Sequence, residues 1–493
     1  MARVHARAWR PGARPDTPLG VSWWRDRGLW AAVGVGTLLR AVPLAVWADD
    51  VCVRDECTYI RLADRLADGA GMTSSVGWLW APGYPALMAI PGFLFGHPGL
   101  IKIPQVLVAG LVTALLYRLT QRVFAAARPG ATPEALVTAG RVAAFGYALS
   151  LHQAFFAIRL WSEVIYSAVL LGVFLMLDRA RRGAEAEDGA SAEARRLALT
   201  GAAGLGALVG ICVLFRGVAQ YMLPVFAVGL LWGQWRRLQA WAQVGLMAAC
   251  TAAVVAPYSV YATQKFDTFI LSDRTLGQMM YLGNNDYDPV AFDYGNGKLS
   301  RRAFDRERRK GRLPCAPRGK MAERDACQTA EAVAWVKANP GEFLRRVPLR
   351  MAQMTTPHSL LTRHLRWGRF KGIPWWGDEL IIALQAFQGV LVQVVGAAAL
   401  TLRGQGARGL AVSGVLLYHL AAVGALAGIS RYRVPLEPLL MVGLAILAVD
   451  PAGTRASVAG GRWRLPLLVL VLSLGIPLVL WFLPAGWPEW RAW

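Results

Sequence analysis

Apolar residues occur along this chain in long runs separated by short polar segments. Runs of about 20 apolar residues match the length of a helix that crosses the ~30 Å hydrocarbon core of a membrane. They predict about eleven spans, near residues 28–47, 100–124, 135–156, 164–178, 197–215, 219–235, 240–262, 379–402, 408–429, 432–449 and 465–483. The pattern therefore predicts an all-α polytopic membrane protein.

One apolar segment does not fit this series. The stretch "APGYPALMAIPGFLFG", residues 81–96, is short and is interrupted by Pro82, Pro85 and Pro91. Proline inside a helix removes a hydrogen bond and kinks or ends the helix. We expect this segment to lie at the membrane interface or to re-enter the membrane without crossing it.

The positive charges favour one orientation of the spans. With the N-terminus in the cytoplasm, the inner segments hold 21 Lys and Arg residues and the short outer segments hold eight. Cytoplasmic loops of membrane proteins are enriched in these residues. Since no small-residue cleavage site follows the first apolar run, we interpret that run as a retained helix and not as a signal peptide.

This topology divides the chain into four parts. They are a basic cytoplasmic N-terminus (1–27), an N-terminal transmembrane core (28–262) with a first outer loop (48–99), an extracytoplasmic loop domain (263–378) and C-terminal transmembrane helices (379–493). The loop domain mixes turn signals such as "LGNNDYDP" with helical-looking pieces, so we expect a small folded unit.

Composition agrees with the membrane class. The chain is 55% hydrophobic and 17% charged, with a formal net charge of +22. The positive charge is the kind that collects in cytoplasmic loops. No zinc-finger spacing, helix-turn-helix signal or aromatic-basic RNA-binding motif is present, which argues against nucleic acid as a partner.

Four of the six cysteines fall on the predicted outer face. The oxidising environment there permits two disulfides, Cys52–Cys57 and Cys315–Cys327, or cross-pairs among the same residues. The cysteine spacing does not suit a zinc site. No metal site is predicted, and a divalent cation stays open as a cofactor.

The first outer loop begins with two adjacent acids in "RDECTYIRLADRLADG", residues 54–69. Tyr59, Leu62, Ala63 and Leu66 recur at helical spacing, which predicts an amphipathic helix along the membrane surface. Asp55 at its start has two interpretations. It either caps the helix and favours its dipole, or it serves a function.

A second acid lies on the same predicted face. Glu163, in "RLWSEVIYSAVLL", opens a predicted span at its outer end. Carboxylates at the membrane rim are costly and tend to be functional. The alternative is helix capping by Ser162 with Glu163 in the first turn.

Five motifs in their order resemble a known family. "DECTY", "APGYPAL", "SEVIYSAVLL", "YLGNN" and "RYRVPLEPLL" are similar to motifs of bacterial GT-C glycosyltransferases of the family 39 branch, which includes protein O-mannosyltransferases and the lipid A aminoarabinose transferase. These enzymes take sugars from polyprenyl phosphates. The resemblance implies a helical transmembrane core, two surface helices after the first span, and a periplasmic active site in the inner membrane.

The resemblance also implies roles for particular residues. Asp55 is the expected catalytic base, Glu56 is its companion in the motif, and Glu163 is expected to position the acceptor. The segment around Pro82 and Tyr84 resembles the second surface helix. Tyr59 is counted with these residues as lining the pocket.

A leaving lipid phosphate needs cations or directed N–H donors as its charge grows. The candidates on the outer rim are Arg216, Arg274, Arg431 and Arg433, with Lys265 as a further one. The two arginines of "SRYRVPLEP" have an alternative interpretation as ordinary interfacial residues. Asn284 and Asn285 most simply mark a turn, and a contact with the donor sugar is the second interpretation.

The sequence departs from the aminoarabinose transferase at two places. Thr58 stands where that enzyme has a basic residue, and Trp80-Ala81 stands where it has a lysine before the prolines. These differences argue against the aminoarabinose activity itself. The sugar and the acceptor, whether lipid, glycan or protein, are left open.

The function predicted is a membrane glycosyltransferase with a polyprenyl-phosphate-sugar donor, a carboxylate base and inversion at the anomeric carbon. Membrane lipids surround it. The alternatives are a polytopic transporter or flippase, which would show inverted repeats or charges buried in mid-span, and a non-catalytic envelope-assembly protein. A glycan polymerase or ligase with diphosphate-linked donors is a weaker enzymatic alternative.

Overall fold

The structure is a computed structural model that describes residues 23–47, 52–53, 55–73, 79–185, 191–285, 315, 321–355, 359–403, 407–426, 428 and 430–460. Within these ranges the regular structure is helical, and the strand-like pairing is a single bridge between Leu79 and Arg274. The fold predicted from the sequence, an all-α membrane protein, is confirmed.

The first half of the described chain holds ten α-helices. They are α1 (Arg27–Val46), α2 (Asp55–Ala67), α3 (Gly83–Phe95), α4 (Lys102–Ala127), α5 (Pro133–Ala148), α6 (Leu151–Ala157), α7 (Glu163–Glu185), α8 (Ala192–Phe215), α9 (Leu223–Leu231) and α10 (Leu238–Phe266).

The second half of the described chain adds nine more. They are α11 (Leu276–Gly283), α12 (Met321–Ala338), α13 (Pro340–Thr355), α14 (Leu360–Arg366), α15 (Trp375–Val390), α16 (Ala397–Arg403), α17 (Ala407–Ala425), α18 (Glu437–Val449) and α19 (Pro451–Ala459). A π-helical segment, Leu391–Gly396, joins α15 to α16.

Six helical segments of the described chain are long and apolar enough to cross a membrane, and the bent pair α18–α19 makes a seventh when it is counted as one span. The protein is therefore a multi-pass membrane protein. The number of eleven spans stays a prediction, and the expected span at 465–483 lies outside the described residues.

The predicted span at 135–156 is divided in the structure. Helix α5 ends at Ala148, and α6 begins at Leu151, where the Ser150 side chain accepts a hydrogen bond from the Gln153 backbone N–H. A serine hydroxyl that accepts this bond satisfies a donor at the start of a helix. The apolar pattern runs through the break because both pieces are buried in the same core.

Helix α7 is at the centre of the bundle. It packs against α8 and α4, while α8 also packs against α10, and α5 packs against α4 and α18. Aliphatic and aromatic residues of these helices form one continuous core. Near the predicted inner end of α7, the Asp178 carboxylate pairs with Arg122, Arg182 and Arg408 at 3.8, 2.9 and 2.7 Å.

Helices α2 and α3 pack against each other, and their location at the membrane surface stays a prediction. The predicted apolar face of α2 is buried at Tyr59, Leu62 and Ala63. Helix α2 is followed by Gly69, whose φ of 72° lies in the left-handed region that favours glycine. Helix α3 spans 13 residues, too few to cross the membrane, and its end exposes apolar side chains such as Phe93.

Candidate active site

Four segments that are distant in the sequence meet at one cluster of charges. Asp55 is the first residue of α2, and Glu163 is the first residue of α7. Arg216 directly follows α8, and Arg431 lies in the short 3-10 helix Ser430–Arg433 that precedes α18. Three of the four therefore lie at the end of a helix that belongs to, or packs on, the bundle.

Arg431 bridges the two carboxylates that the sequence singles out. Its Nη1 donates to Asp55 Oδ2 at 2.7 Å, and its Nε donates to Glu163 Oε1. Arg216 Nη2 donates to the same Glu163 oxygen. The sequence Asp55–Arg431–Glu163–Arg216 is thus a continuous chain of ion pairs, which we call the charge chain.

The two acids of the charge chain differ in accessibility. The Asp55 side chain is 36% exposed, whereas the Glu163 side chain is 0% exposed. The second oxygen of Glu163 is buried and has no hydrogen-bond partner among the described residues. Asp55 is therefore the carboxylate that a substrate can reach.

The alternative interpretation, in which Ser162 caps the helix that Glu163 begins, is wrong. The Ser162 hydroxyl is buried and makes no hydrogen bond within the described part of the chain, so it does not cap α7. Glu163 instead faces two arginines. A buried carboxylate is retained where it is paired, because an unpaired buried charge is costly.

A tryptophan fixes the orientation of Arg431. The Arg431 guanidinium carbon lies 4.0 Å from the centre of the Trp161 ring. A guanidinium over an aromatic face gains a cation–π attraction and keeps its plane parallel to the ring. The N–H groups of Arg431 are thereby directed towards Asp55 and Glu163.

Glu56 has a different position from the one its motif implies. It is 1% exposed, and its oxygens accept from Arg159 Nε at 2.8 Å, Trp161 Nε1 at 2.8 Å, Leu160 N at 3.0 Å and Val53 N at 2.9 Å. A carboxylate with this many donors is occupied in the fold. In the structure Glu56 joins the start of α2 to the segment before α7, and its catalytic role stays a prediction.

Tyr59 and Tyr84 belong to a group of aromatic side chains packed around the start of α3. Their rings meet edge to face with centroids 5.1 Å apart, and Tyr59 meets Trp80 at 5.2 Å. The Tyr84 hydroxyl donates to Gln105 Oε1 at 3.1 Å. Burial raises the pKa of Tyr59 to about 12, so this phenol stays neutral at physiological pH.

Gln105 on α4 connects Tyr84 to the segment that carries Arg159 and Trp161. Its Nε2 lies within hydrogen-bond distance of the carbonyl oxygens of Phe156, Ala157 and Arg159, at 3.1, 2.9 and 2.7 Å. Gln105 on α4 therefore holds the turn between α6 and α7 in place. Pro82, which is predicted to lie near the pocket, is the N-cap residue of α3.

Arg433 and Arg274 are candidates that the structure places outside the charge chain. Arg433 is buried and donates to Glu437 Oε1 at 3.0 Å and to the Met354 carbonyl at 3.0 Å. Arg274 pairs with Asp325 at 2.8 Å. Both side chains have partners outside the charge chain, and their role as phosphate ligands stays a prediction.

Asn284 and Asn285 close the end of α11. Asn284 Nδ2 donates to the Met280 carbonyl at 2.9 Å, and Asn285 Nδ2 donates to the Tyr281 carbonyl at 2.7 Å. Arg350 Nη2 donates to Asn284 Oδ1 at 3.0 Å. These contacts favour the simpler interpretation of the pair as a turn, and a contact with the donor sugar stays a prediction.

The four cysteines that are predicted to lie on the outer face are paired in the structure. Cys52 is bonded to Cys57, and Cys315 is bonded to Cys327. The first disulfide spans the start of α2 and so lies beside Asp55.

Lys265, the further cation, contacts the Ala70 carbonyl at 3.2 Å and the Tyr261 hydroxyl at 3.0 Å.

Within the described ranges, no group of three or more His, Cys, Asp and Glu side chains is arranged to hold a metal ion.

Trp161, Arg159 and Gln105 are site residues that sequence reasoning missed. "IRLWSE", which contains Arg159 and Trp161, looks like an ordinary interfacial segment with one basic and one aromatic residue. Gln105, in the run 100–124, is the stronger signal, because an amide within an apolar span needs buried partners. Their contacts join residues that are 50 or more positions apart in the sequence. The order of residues along the chain does not reveal such contacts.

The chain matches no protein-family model and no curated protein sequence. Three solved structures resemble it at low similarity. The oligosaccharyltransferase of Archaeoglobus fulgidus, in complex with zinc and sulfate, has a TM-score of 0.46 and 13% identity and covers 92% of this chain and 52% of its own. AglB from the same organism, with an inhibitory peptide and a dolichol-phosphate, has a TM-score of 0.44 and 13% identity, covering 93% and 56%.

ArnT from Cupriavidus metallidurans, bound to undecaprenyl phosphate, has a TM-score of 0.38 and 15% identity and covers 86% of this chain and 79% of its own. This chain spans about half the length of the archaeal oligosaccharyltransferase chains.

Proposed function

We propose that this protein is a glycosyltransferase of the bacterial inner membrane that transfers a sugar from a polyprenyl-phosphate donor to an acceptor on the periplasmic side. The observation that supports the proposal is the charge chain, which joins two arginines to one buried and one accessible carboxylate. This set of groups suits a reaction in which a phosphate leaves and a proton is removed.

The arginines suit the leaving phosphate. The guanidinium group has several N–H donors in a plane and pairs with phosphate oxygens in a bidentate way. Arg216 Nε is buried and has no hydrogen-bond partner among the described residues, so it is able to donate to a ligand. Such donors stabilise the negative charge that grows on the phosphate as the sugar departs.

Asp55 suits the role of base. Its side chain is accessible, and one oxygen is engaged by Arg431. A donor phosphate would compete with Asp55 for Arg431 and release the carboxylate to accept the proton of the acceptor hydroxyl or amine. General base catalysis of this kind contributes about 10²–10⁴-fold, and attack from the face opposite the phosphate inverts the anomeric carbon.

Glu163 takes a different part in this mechanism from the expected positioning of the acceptor. It is fully buried and contacts both arginines. In the proposal it holds Arg216 and Arg431 close together, although their like charges would otherwise separate them. The acceptor, whether lipid, glycan or protein, is then positioned by other groups.

The test is a donor-lipid assay with the full chain in proteoliposomes. We expect Asp55→Asn to lower the release of undecaprenyl phosphate from undecaprenyl-phosphate sugars by about 10²-fold or more, in the presence of an envelope extract as the acceptor source. Asp64→Asn is the matched control, because Asp64 is an exposed acid on the same helix. Mass spectrometry measures the lipid product.

Two results would contradict the proposal in different ways. Wild-type turnover by a folded Asp55→Asn variant would remove Asp55 as the base. Failure of the wild-type protein to consume any donor from a panel of undecaprenyl-phosphate sugars would remove the glycosyltransferase activity itself.

A further inference from the structure

A third carboxylate, Asp273, lies beside the charge chain without belonging to it. It is in the loop between α10 and α11, and its Oδ2 accepts from the Gly217 backbone N–H at 3.3 Å and from the Thr275 hydroxyl at 3.2 Å. Gly217 directly follows Arg216 in the sequence. Asp273 is therefore held against the backbone that carries one of the two site arginines.

The approach of Asp273 to this backbone is close. A Cβ atom on Gly217 would lie 2.2 Å from Asp273 Oδ1 and 2.8 Å from the Ser272 hydroxyl oxygen. Any residue other than glycine at this position would therefore push both oxygens away. Glycine lets the two oxygens stand side by side next to Arg216.

The charge of Asp273 has no counterion in the described part of the chain. No ion pair with Asp273 is present there, and the adjacent Arg274 is engaged by Asp325 at 2.8 Å. The Ser272 side chain is 1% exposed, and its hydroxyl has no hydrogen-bond partner within the same ranges. Buried polar groups are almost always hydrogen-bonded, so a hydroxyl without a partner beside a carboxylate without a counterion, both within these ranges, points to a ligand.

On the basis of the proposed function, we propose that Asp273 and Ser272 bind hydroxyl groups of the sugar of the donor lipid. The sugar is bonded directly to the phosphate, so its hydroxyl groups come within reach of the residues next to Arg216 when Arg216 holds that phosphate. A carboxylate accepts hydrogen bonds from neutral hydroxyl groups, and a serine hydroxyl both donates and accepts. Asp273 is a specificity-determining residue in this arrangement and does not take part in proton transfer.

The electrostatic surroundings of Asp273 agree with this role. Burial raises the pKa of its carboxyl to about 6, with the nearby Asp325 adding to the effect. A carboxylate that lacks enough hydrogen-bond donors in the free protein gains from the donors that a sugar supplies.

The test separates the sugar from the lipid phosphate. Affinities of the purified full chain are measured for undecaprenyl phosphate and for undecaprenyl-phosphate glucose. We expect the wild-type protein to bind the glucose lipid more tightly, and Asp273→Asn to reduce that preference by about tenfold, the size of a lost hydrogen bond to a charged group. Binding of undecaprenyl phosphate stays within twofold.

Asp267→Asn is the control, since Asp267 is an exposed acid in the same loop, and it is expected to leave both affinities unchanged. Ser272→Ala is the second variant, and it should reduce the preference in the same direction. The inference is overturned when Asp273→Asn changes neither affinity or lowers both equally. When the wild-type protein binds neither lipid, the proposed function fails and this inference fails with it.

Discussion

At the scale of single residues, burial separates the acids of the outer site into distinct roles. Asp55 is accessible, Glu56 and Glu163 are buried with arginine partners, and Asp273 has no arginine partner among the described residues. The positions of Asp55 and Glu163 on one face follow from the hydrophobic pattern and the charge bias. Their shared partner Arg431 does not, because it lies more than 260 residues beyond Glu163 in the sequence.

Glu163→Gln tests the role of the buried acid. The substitution leaves Arg216 and Arg431 facing each other without the anion between them, and breaking a buried ion pair typically costs about 3–5 kcal/mol. We expect a lower melting temperature in detergent together with a loss of sugar transfer. Glu134→Gln, at an exposed acid in the first turn of α5, should change neither quantity.

Arg431→Lys tests the geometry of the bridge. A lysine ammonium is a compact charge and lacks the planar fork that lets Nε reach Glu163 while Nη1 reaches Asp55. We expect sugar transfer to fall by about tenfold or more while the protein still folds, as judged by thermal melting. Unchanged kcat and donor KM would argue against a specific need for the guanidinium group.

Asp273→Asn has a pH-dependent effect on stability. The pKa of this carboxyl is about 6 in the fold, above the reference value of 3.8, so the ionised form is disfavoured in the folded state. The destabilisation is absent below pH 3.8 and complete above about pH 6. The neutral amide should therefore raise the melting temperature at pH 8 and leave it nearly unchanged at pH 3.5, and a lower value at pH 8 would contradict this assignment.

At the scale of elements, the helices of the apolar runs were predictable and their interruptions were not. The pattern placed α1, α4, α8 and α10 to within several residues, because a lipid-facing helix needs an unbroken apolar run. The division of α5 from α6 at Ser150 was not apparent. Serine also occurs inside membrane helices, so the residue type alone does not show that Ser150 caps a new helix. That role depends on the change in chain direction at this point.

The short helix Ser430–Arg433 shows how an element positions the site. Arg433, two residues after Arg431, donates to Glu437 Oε1. The same oxygen lies 2.8 Å from His152 Nδ1, within hydrogen-bond distance. Gln153 Nε2 donates to Glu437 Oε2 at 2.8 Å. Arg433 and its partners therefore anchor the turn that presents Arg431.

Glu437→Gln is expected to weaken this anchor. It removes the negative charge that neutralises the buried Arg433, which predicts a lower melting temperature and slower sugar transfer by the remaining folded protein. Glu437→Asp keeps the charge and should restore part of both. A variant that transfers sugar at the wild-type rate would show that the turn does not depend on this acid.

At the scale of the whole molecule, sidedness joins the sequence analysis to the site. The positive-inside rule predicts that the segment after α2 faces outwards and that the start of α5 faces the cytoplasm. Both segments are exposed, at Ala70 and Glu134 respectively. The charge chain and Ala70 lie on the same face, because Asp55 begins α2, Ala70 follows its end, and 13 residues are too few to cross the membrane.

Cysteine labelling in intact cells checks this orientation. A membrane-impermeant thiol reagent is expected to label Ala70→Cys and not Glu134→Cys, with the wild-type chain as the background. Its four outer cysteines are in disulfides, and Cys212 is buried. The reverse pattern would place the charge chain on the cytoplasmic side and exclude the proposed periplasmic transfer.

Ion pairs at two levels of α7 restrict how this helix moves. Asp178 lies fifteen residues after Glu163, which at 1.5 Å per residue is about 22 Å along the axis. A slip of one turn, about 5.4 Å, would detach Glu163 from its arginines and Asp178 from its own at once. The position of Glu163 along the axis of α7 is thus fixed by ion pairs at two levels of the bundle.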